Sequence, residues 1–229
     1  MKKIEKTMNL DKDFALFAKS KGVPSTTLDK YKKLFPQASL TPAIVEERNL
    51  NIAIMDVFSR LMMDRIIFLG TEIDDYVANV ISAQFLYLTS IDKTADIKLY
   101  INSPGGSVYD GNSILDVMDL VETDVATVCT GLAASMAAVI LSHGTEGKRC
   151  SLSRSRVMIH QPLGGTWGQA SDIEIEAKEI KKIKRELVQT LADNTKQPFK
   201  KVWRDCDRDK WLDAKEALGY GLIDKILSK

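Results

Sequence analysis

Histidine is the scarcest reactive side chain here: two residues, His143 and His160, in a chain of 229. Any imidazole acid–base step has only those two to draw on. Cysteine is almost as rare. Cys129, Cys150 and Cys206 cannot all pair and form no C-x-x-C, which excludes a disulfide-stapled secreted scaffold and points to a reducing, cytoplasmic setting. Charge of one sign is missing too. The 32 Lys and Arg against 31 Asp and Glu leave a net charge of +1, so no global field advertises nucleic acid or a membrane surface. No hydrophobic run is long enough to span a bilayer. The most apolar stretch, Val125 to Leu141, has 17 residues and contains Thr127, Thr130, Gly131 and Ser135, whereas a spanning helix needs about 20. It reads as a buried strand followed by a buried helix. The basic start, Met1 to Lys6, is not followed by the apolar segment of a secretory signal. Neither G-x-x-x-x-G-K-[ST] nor G-x-G-x-x-G occurs. Gly144-Thr145-Glu146-Gly147-Lys148-Arg149 has the wrong spacing and ends in Arg. No nucleotide, metal or other cofactor is expected in this chain.

What is present is an ordinary globule, 45% apolar and 28% charged, long enough to bury a core unaided. One globular domain with a small appendage fits the length. The first forty or so residues stand apart. Residues 1–33 hold nine Lys, no Arg and four acids, a local charge near +5. Phe14, Leu16, Phe17, Leu28, Tyr31 and Leu34 could support one or two short helices in a mobile extension. A nucleic-acid arm is disfavoured, because Arg is absent.

From Asp64 onward strand and helix patterns alternate. The spacing predicts strands over 66–70, 97–102, 125–129 and 156–160, the first and third of them buried. It predicts helices over 74–89, over 108–121, after Gly131, and over 171–194. The first helix is expected to bury Val77, Val80, Ile81, Phe85 and Leu88. The last carries an apolar stripe of Ile173, Ala177, Ile180, Ile183, Leu187 and Leu191 on a highly charged background. Such alternation implies an α/β fold with largely parallel pairing.

His143 lies in Ser142-His143-Gly144-Thr145 and reads as an exposed loop histidine. Adjacent residues do not face each other on a helix, so Ser142 and His143 make a poor dyad. His160 ends an apolar strand, where ligand sites of open α/β sheets lie. Ser135, in Gly131-Leu132-Ala133-Ala134-Ser135-Met136-Ala137-Ala138, sits just after a strand at a helix start. There its hydroxyl is exposed and free N–H groups are offered to a developing oxyanion. The segment is not G-x-S-x-G, since Ala133 and Ala137 take the glycine positions. The turn Ser103-Pro104-Gly105-Gly106-Ser107 is either structural or a backbone donor site that glycine lets a substrate approach. Asp205, Asp207 and Asp209 partly imitate a calcium loop, but Lys210 stands where that loop needs glycine. If extended, the three share one face, and spacing cannot choose which of them would orient His160.

Several segments in order resemble the proteolytic subunit family of the Clp proteases, self-compartmentalised serine peptidases. They are Asp64 to Gly70, Tyr100-Ile101-Asn102-Ser103-Pro104-Gly105-Gly106, Ala133 to Ala137, Arg156 to Gly165, Gly168-Gln169-Ala170, Asp207-Arg208-Asp209, Glu216-Ala217 and Tyr220 to Asp224. The resemblance runs from about Pro42 to Leu227. It implies the fold shared with crotonases, an α/β right-handed spiral of ββα units with a projecting strand–helix handle near 166–185. It implies an N-terminal extension or propeptide over 1–41, an axial-pore segment over 42–56, and a peptidase domain over 57–229. It assigns Ser135, His160 and Asp209 as the catalytic triad, and the backbone N–H groups of Gly106 and Met136 as the oxyanion hole. Ser107, Val108, Pro162, Leu163 and Gly164 would pair with an extended peptide. Tyr100 would line the pocket that docks a hexameric AAA+ unfoldase, which consumes the ATP. Arg208 would pair across two stacked heptameric rings. The substrates would be unfolded polypeptides. Two other functions share the features: a crotonase-like acyl-CoA hydratase, isomerase or hydrolase, and a non-catalytic ring subunit.

Overall fold

The computed structural model describes residues 43–48 and 51–228, with side chains from 56 onward. The extension of residues 1–41, with its expected helical faces around Phe14 to Leu34, lies outside the described residues. Strands β1 (Ala43–Arg48) and β2 (Asn51–Asp56) form an antiparallel hairpin, in register from Ala43 opposite Asp56 to Arg48 opposite Asn51. This hairpin belongs to one compact unit, and everything from Phe58 onward to another.

The larger unit takes in helix α1 (Val57–Met63) from its second residue. It runs through β3 (Ile66–Leu69), α2 (Asp75–Ile91), β4 (Ile97–Ser103), α3 (Val108–Leu120), β5 (Val125–Ala134), α4 (Met136–Ser142), β6 (Cys150–Leu152), β7 (Arg156–Ile159), α5 (Ala170–Thr195), α6 (Phe199–Asp205), β8 (Lys210–Asp213), α7 (Ala214–Tyr220) and β9 (Lys225–Leu227). Strands β3-β4-β5-β6-β9 are parallel neighbours, while β7 branches from the end of β5 and carries β8 antiparallel on its far side. The result is the mixed α/β architecture the alternation predicted, with seven helices among the described residues.

Local chemistry sets the helix starts. The Asp74 carboxylate accepts from the Val77 N–H at 2.8 Å and opens α2, and Asp213 and Glu216 form a reciprocal capping box at α7. Helix α2 buries Ala78, Ile81, Phe85 and Leu88, whereas Val80, expected inside, is exposed. Phe85 is fully buried, so truncating it to Ala would cost about 3–5 kcal/mol. Arg149 and Asp224 form a buried pair at 2.6 Å, and Arg149 also donates to the carbonyls of Ser142 and Asn194. Burial pushes the Asp224 carboxyl up, but the Arg149 hydrogen bonds outweigh it and hold it below the usual range. Removing one partner of such a pair costs about 3–5 kcal/mol.

Three expectations change. Strand β5 does not stop at Cys129 but continues to Ala134. Its register against β4 slips between Ile101–Cys129 and Ser103–Ala133. At the slip Gly131 takes φ 92°, Ser155 Oγ accepts its N–H at 3.0 Å, and Asn102 Oδ1 accepts that of Leu132 at 3.2 Å. Side chains thus replace the lost ladder bonds, and the bent strand leaves β6 for β7. Second, β3 is not buried throughout but leaves Phe68 exposed, and β4 alternates in the same way. Third, α5 buries only its C-terminal part, at Val188, Leu191, Ala192 and Thr195, and Ile173 and Ala177 are exposed. The preceding stretch, 160–169, contains no strand, and no described residue pairs with it as a ladder.

Candidate active site

Strand register, not proximity in sequence, assembles the site. The parallel β5–β7 ladder sets Ala134 beside Met158, and the antiparallel β7–β8 ladder sets Ile159 opposite Lys210. One step beyond those rows stand Ser135, His160 and Asp209. His160 Nε2 lies 2.8 Å from Ser135 Oγ, and Nδ1 lies 3.0 Å from Asp209 Oδ1. A carboxylate only accepts, so Nδ1 carries the proton and the Nε2 lone pair faces the serine hydroxyl.

Ser135 joins β5 to α4 with φ 56° and ψ −126°, a conformation that costs a side-chain-bearing residue about 1–3 kcal/mol. Its own N–H, donated to the Met158 carbonyl at 2.9 Å, holds the turn. The oxyanion donors predicted at Gly106 and Met136 lie beside it. Ile73 donates to the Gly105 carbonyl at 2.8 Å and accepts from the Ser107 N–H at 2.9 Å. This parallel bridge turns the Gly106 N–H to the opposite side. Neither that N–H nor the one of Met136 has a hydrogen-bond partner among the described residues. Both glycines are required. A Cβ on Gly105 would stand 2.7 Å from Ser135 Cβ and 3.0 Å from the Met136 nitrogen, and one on Gly106 would run into the Ile73 backbone.

An apolar cleft opens beside the serine, lined by Val108, Met136, Val139, Pro162, Leu187 and Leu191 among others. Sequence patterning showed Leu187 and Leu191 as a helix stripe but gave no sign that the stripe walls a pocket. Burial pushes the Cys129 thiol up to about 11 and the Cys206 thiol to about 12, so neither offers a thiolate near neutral pH.

Other expected residues fall out variously. Ser107 has its backbone engaged within the fold. Its N–H goes to Ile73 and its carbonyl to the Gly111 N–H, because it caps α3. Val108 lines the cleft with Pro162, while Leu163 and Gly164 are exposed outside any strand. Tyr100 stacks on Phe68 at 5.3 Å, and Phe58 meets Phe68 edge-on at 5.6 Å, an aromatic cluster on the open face of β3 and β4. The sequence reading had named only Tyr100. Arg208 is exposed. The three aspartates do not share a face. Asp205 ends α6 and accepts from Tyr220 Oη, the Asp207 carbonyl accepts from Gln161, and only Asp209 meets His160. His143 is not an exposed loop residue. It caps α4 and its Nε2 lies 2.8 Å from Asp119 Oδ1.

A serine hydroxyl on a strained turn, a histidine oriented by a carboxylate and two free N–H groups make a constellation able to carry acyl transfer. Comparison with known proteins sharpens the class. The family model described as Clp protease matches residues 48–229. The ATP-dependent Clp protease proteolytic subunit of Bacteroides thetaiotaomicron is 58% identical over 219 residues, 95% of this chain and 99% of that protein. Those of Porphyromonas gingivalis (59% over 208 residues, 91% and 93%) and Bacteroides fragilis (62% over 190 residues, 83% and 92%) are equally similar. The chain belongs to the Clp protease family, a family of peptidases. No helix among the described residues is long and apolar enough to cross a membrane.

Proposed function

We propose that this chain is a serine endopeptidase, the proteolytic subunit of an ATP-dependent Clp protease, cleaving unfolded polypeptides that a separate unfoldase delivers. The observation that carries the reading is the hydrogen-bonded line Ser135–His160–Asp209, with distances of 2.8 and 3.0 Å. Ser135 Oγ attacks the scissile carbonyl carbon as His160 Nε2 takes its proton. The carbonyl oxygen gathers negative charge toward the N–H groups of Gly106 and Met136. Asp209 holds the tautomer and steadies the imidazolium. His160 then protonates the leaving amine, and water, deprotonated by the same nitrogen, hydrolyses the acyl-enzyme. The residues around Ser135, among them Val108, Met136, Val139 and Leu187, are apolar and suit apolar substrate side chains next to the cut bond.

The wider assembly belongs to the same proposal. Two stacked heptameric rings would enclose the sites, with Arg208 at the contact between rings, the handle of about 166–185 beside it, and the segment 42–56 at the axial pores. A hexameric AAA+ ATPase would dock on the Phe58–Phe68–Tyr100 cluster. Global unfolding of a substrate domain costs roughly 5–15 kcal/mol, and the sequence has no phosphate loop with which to supply it. Free thiols at Cys129, Cys150 and Cys206 suit a cytoplasmic setting.

The test is a fluorophosphonate probe together with a peptide substrate. Ser135 should be labelled and short peptides cleaved, while a stable folded protein survives until a cognate ATPase and ATP are added. Absence of labelling at Ser135 in protein that cleaves peptides would overturn the mechanism. Rapid ATP-independent digestion of the folded protein would overturn the caged reading.

A further inference from the structure

The β7–β8 ladder ends at the Ile159–Lys210 pair. Beyond it the two strands are tied only through side chains. The first tie is His160 to Asp209. The second lies next to it: Gln161 Nε2 donates to the Asp207 carbonyl at 2.8 Å. The other amide atom of Gln161 is tied as well. Lys184 fixes it, donating from Nζ to Gln161 Oε1 at 2.6 Å. The same ammonium lies 3.8 Å from Asp207 Oδ1 and 4.5 Å above the Trp203 ring, and the Lys184 side chain is only 16% exposed. Lysine is seldom so covered. Every contact it makes is to a group flanking the triad or to the ring that seats it.

Lys184 belongs to α5, whose N-terminal half is exposed and whose C-terminal part is built into the core. It stands where the helix passes from one environment to the other. We propose that Lys184 is a positioning residue: through Gln161 and Asp207 it holds the Asp209 turn against His160 and couples α5 to the geometry of the Ser135–His160–Asp209 line. This rests on the serine-peptidase reading above. The residue touches neither substrate nor reacting atoms, so its effect falls on turnover more than on substrate binding. Misplacement of a catalytic group by about an ångström can cost about 10²-fold in rate. Loss of one of two parallel ties should cost about tenfold.

The experiment measures kcat and KM for a short peptide in the full-length parent, in Lys184→Met, which keeps the stem and removes the donor, and in Gln161→Glu. The glutamate retains an acceptor for Lys184 but loses the N–H to the Asp207 carbonyl. Both variants should lower kcat about tenfold with KM within about twofold, and the double variant should fall no further than either single one. Lys184→Arg should recover part of the loss. Parent-like kcat in Gln161→Glu, or additive losses in the double variant, would overturn the proposal, and the glutamate variant decides alone if the methionine variant does not fold. An inactive parent, or an active Ser135→Ala control, would instead mark failure of the underlying reading.

Discussion

The chain's two histidines sit in surroundings that look alike by every simple measure. His160 is 13% exposed and 3.0 Å from Asp209, itself 60% exposed. His143 is 17% exposed and 2.8 Å from Asp119, itself 69% exposed. Each histidine presents a protonated nitrogen to a carboxylate and a lone pair to a third group. They use opposite nitrogens: His160 gives Nδ1–H to its carboxylate and His143 gives Nε2–H. The difference lies in the third group. At His160 it is the Ser135 hydroxyl, held on a positive-φ turn beside two unclaimed N–H groups. At His143 it is the Asn194 amide at 3.4 Å, and the neighbouring Ser142 hydroxyl is buried and donates to the Val139 carbonyl. A histidine–carboxylate pair is therefore no site by itself. What its second nitrogen faces decides whether it ties helices together or moves a proton.

The comparison breaks most visibly in turnover. His160→Ala should lower kcat for peptide hydrolysis by roughly 10⁵-fold or more, by analogy with removal of the histidine from a related triad. His143→Ala in the same assay should stay within about twofold of the parent. Collapse at His143 with activity kept at His160 would reverse the assignment.

The carboxylates sharpen it at a smaller scale. Asp209→Asn should cost about 10²- to 10⁴-fold in kcat, since an amide no longer enforces the Nδ1–H tautomer. Asp119→Asn should leave kcat unchanged. Equal effects of the two substitutions on steady-state rates would show that carboxylate orientation is not what separates the pairs.

The smallest difference is in stability. The Asp119–His143–Asn194 tie joins α3, α4 and α5 near the surface, so His143→Ala should lose about 1 kcal/mol in urea unfolding, with assembly intact. A loss several times larger would mean that this tie organises the core rather than trimming its edge.

Much of this was legible in residue order. Apolar periodicity marks most strands and helices from Ile66 to Leu191, though not the short β6 at Cys150–Leu152. The scarcity of histidine narrowed the acid–base candidates to His143 and His160, and the small residues around Ser135 marked a turn with room for a substrate. The misses share a cause. Val80 was assigned to the core by spacing, but spacing defines a stripe without saying where neighbouring elements stop covering it. The end of β5 was set at Cys129, because the bulge at Gly131 is sustained by Asn102 and Ser155, both distant in sequence. His143 was read as loop because its partners, Asp119 and Asn194, lie on other helices.

Sequence by itself determined which chemistries were possible: one serine at a strand-to-helix junction, two imidazoles, three cysteines and no phosphate loop. These follow from residue type and local spacing, which a linear pattern carries in full. Spacing left open which aspartate meets His160; the family resemblance pointed to Asp209, and the fold brings its carboxylate to 3.0 Å from His160 Nδ1. Asp205, Asp207 and Asp209 are interchangeable by spacing, but the register that sets Ile159 opposite Lys210 puts Asp209 beside His160, while Asp205 ends α6 and Asp207 lies two residues short. The surroundings of Lys184 are legible only in the fold. Whether an N–H is unclaimed, or an ammonium is held between Gln161, Asp207 and Trp203, depends on what every other strand and helix has already bonded, and that is settled only when the chain has folded.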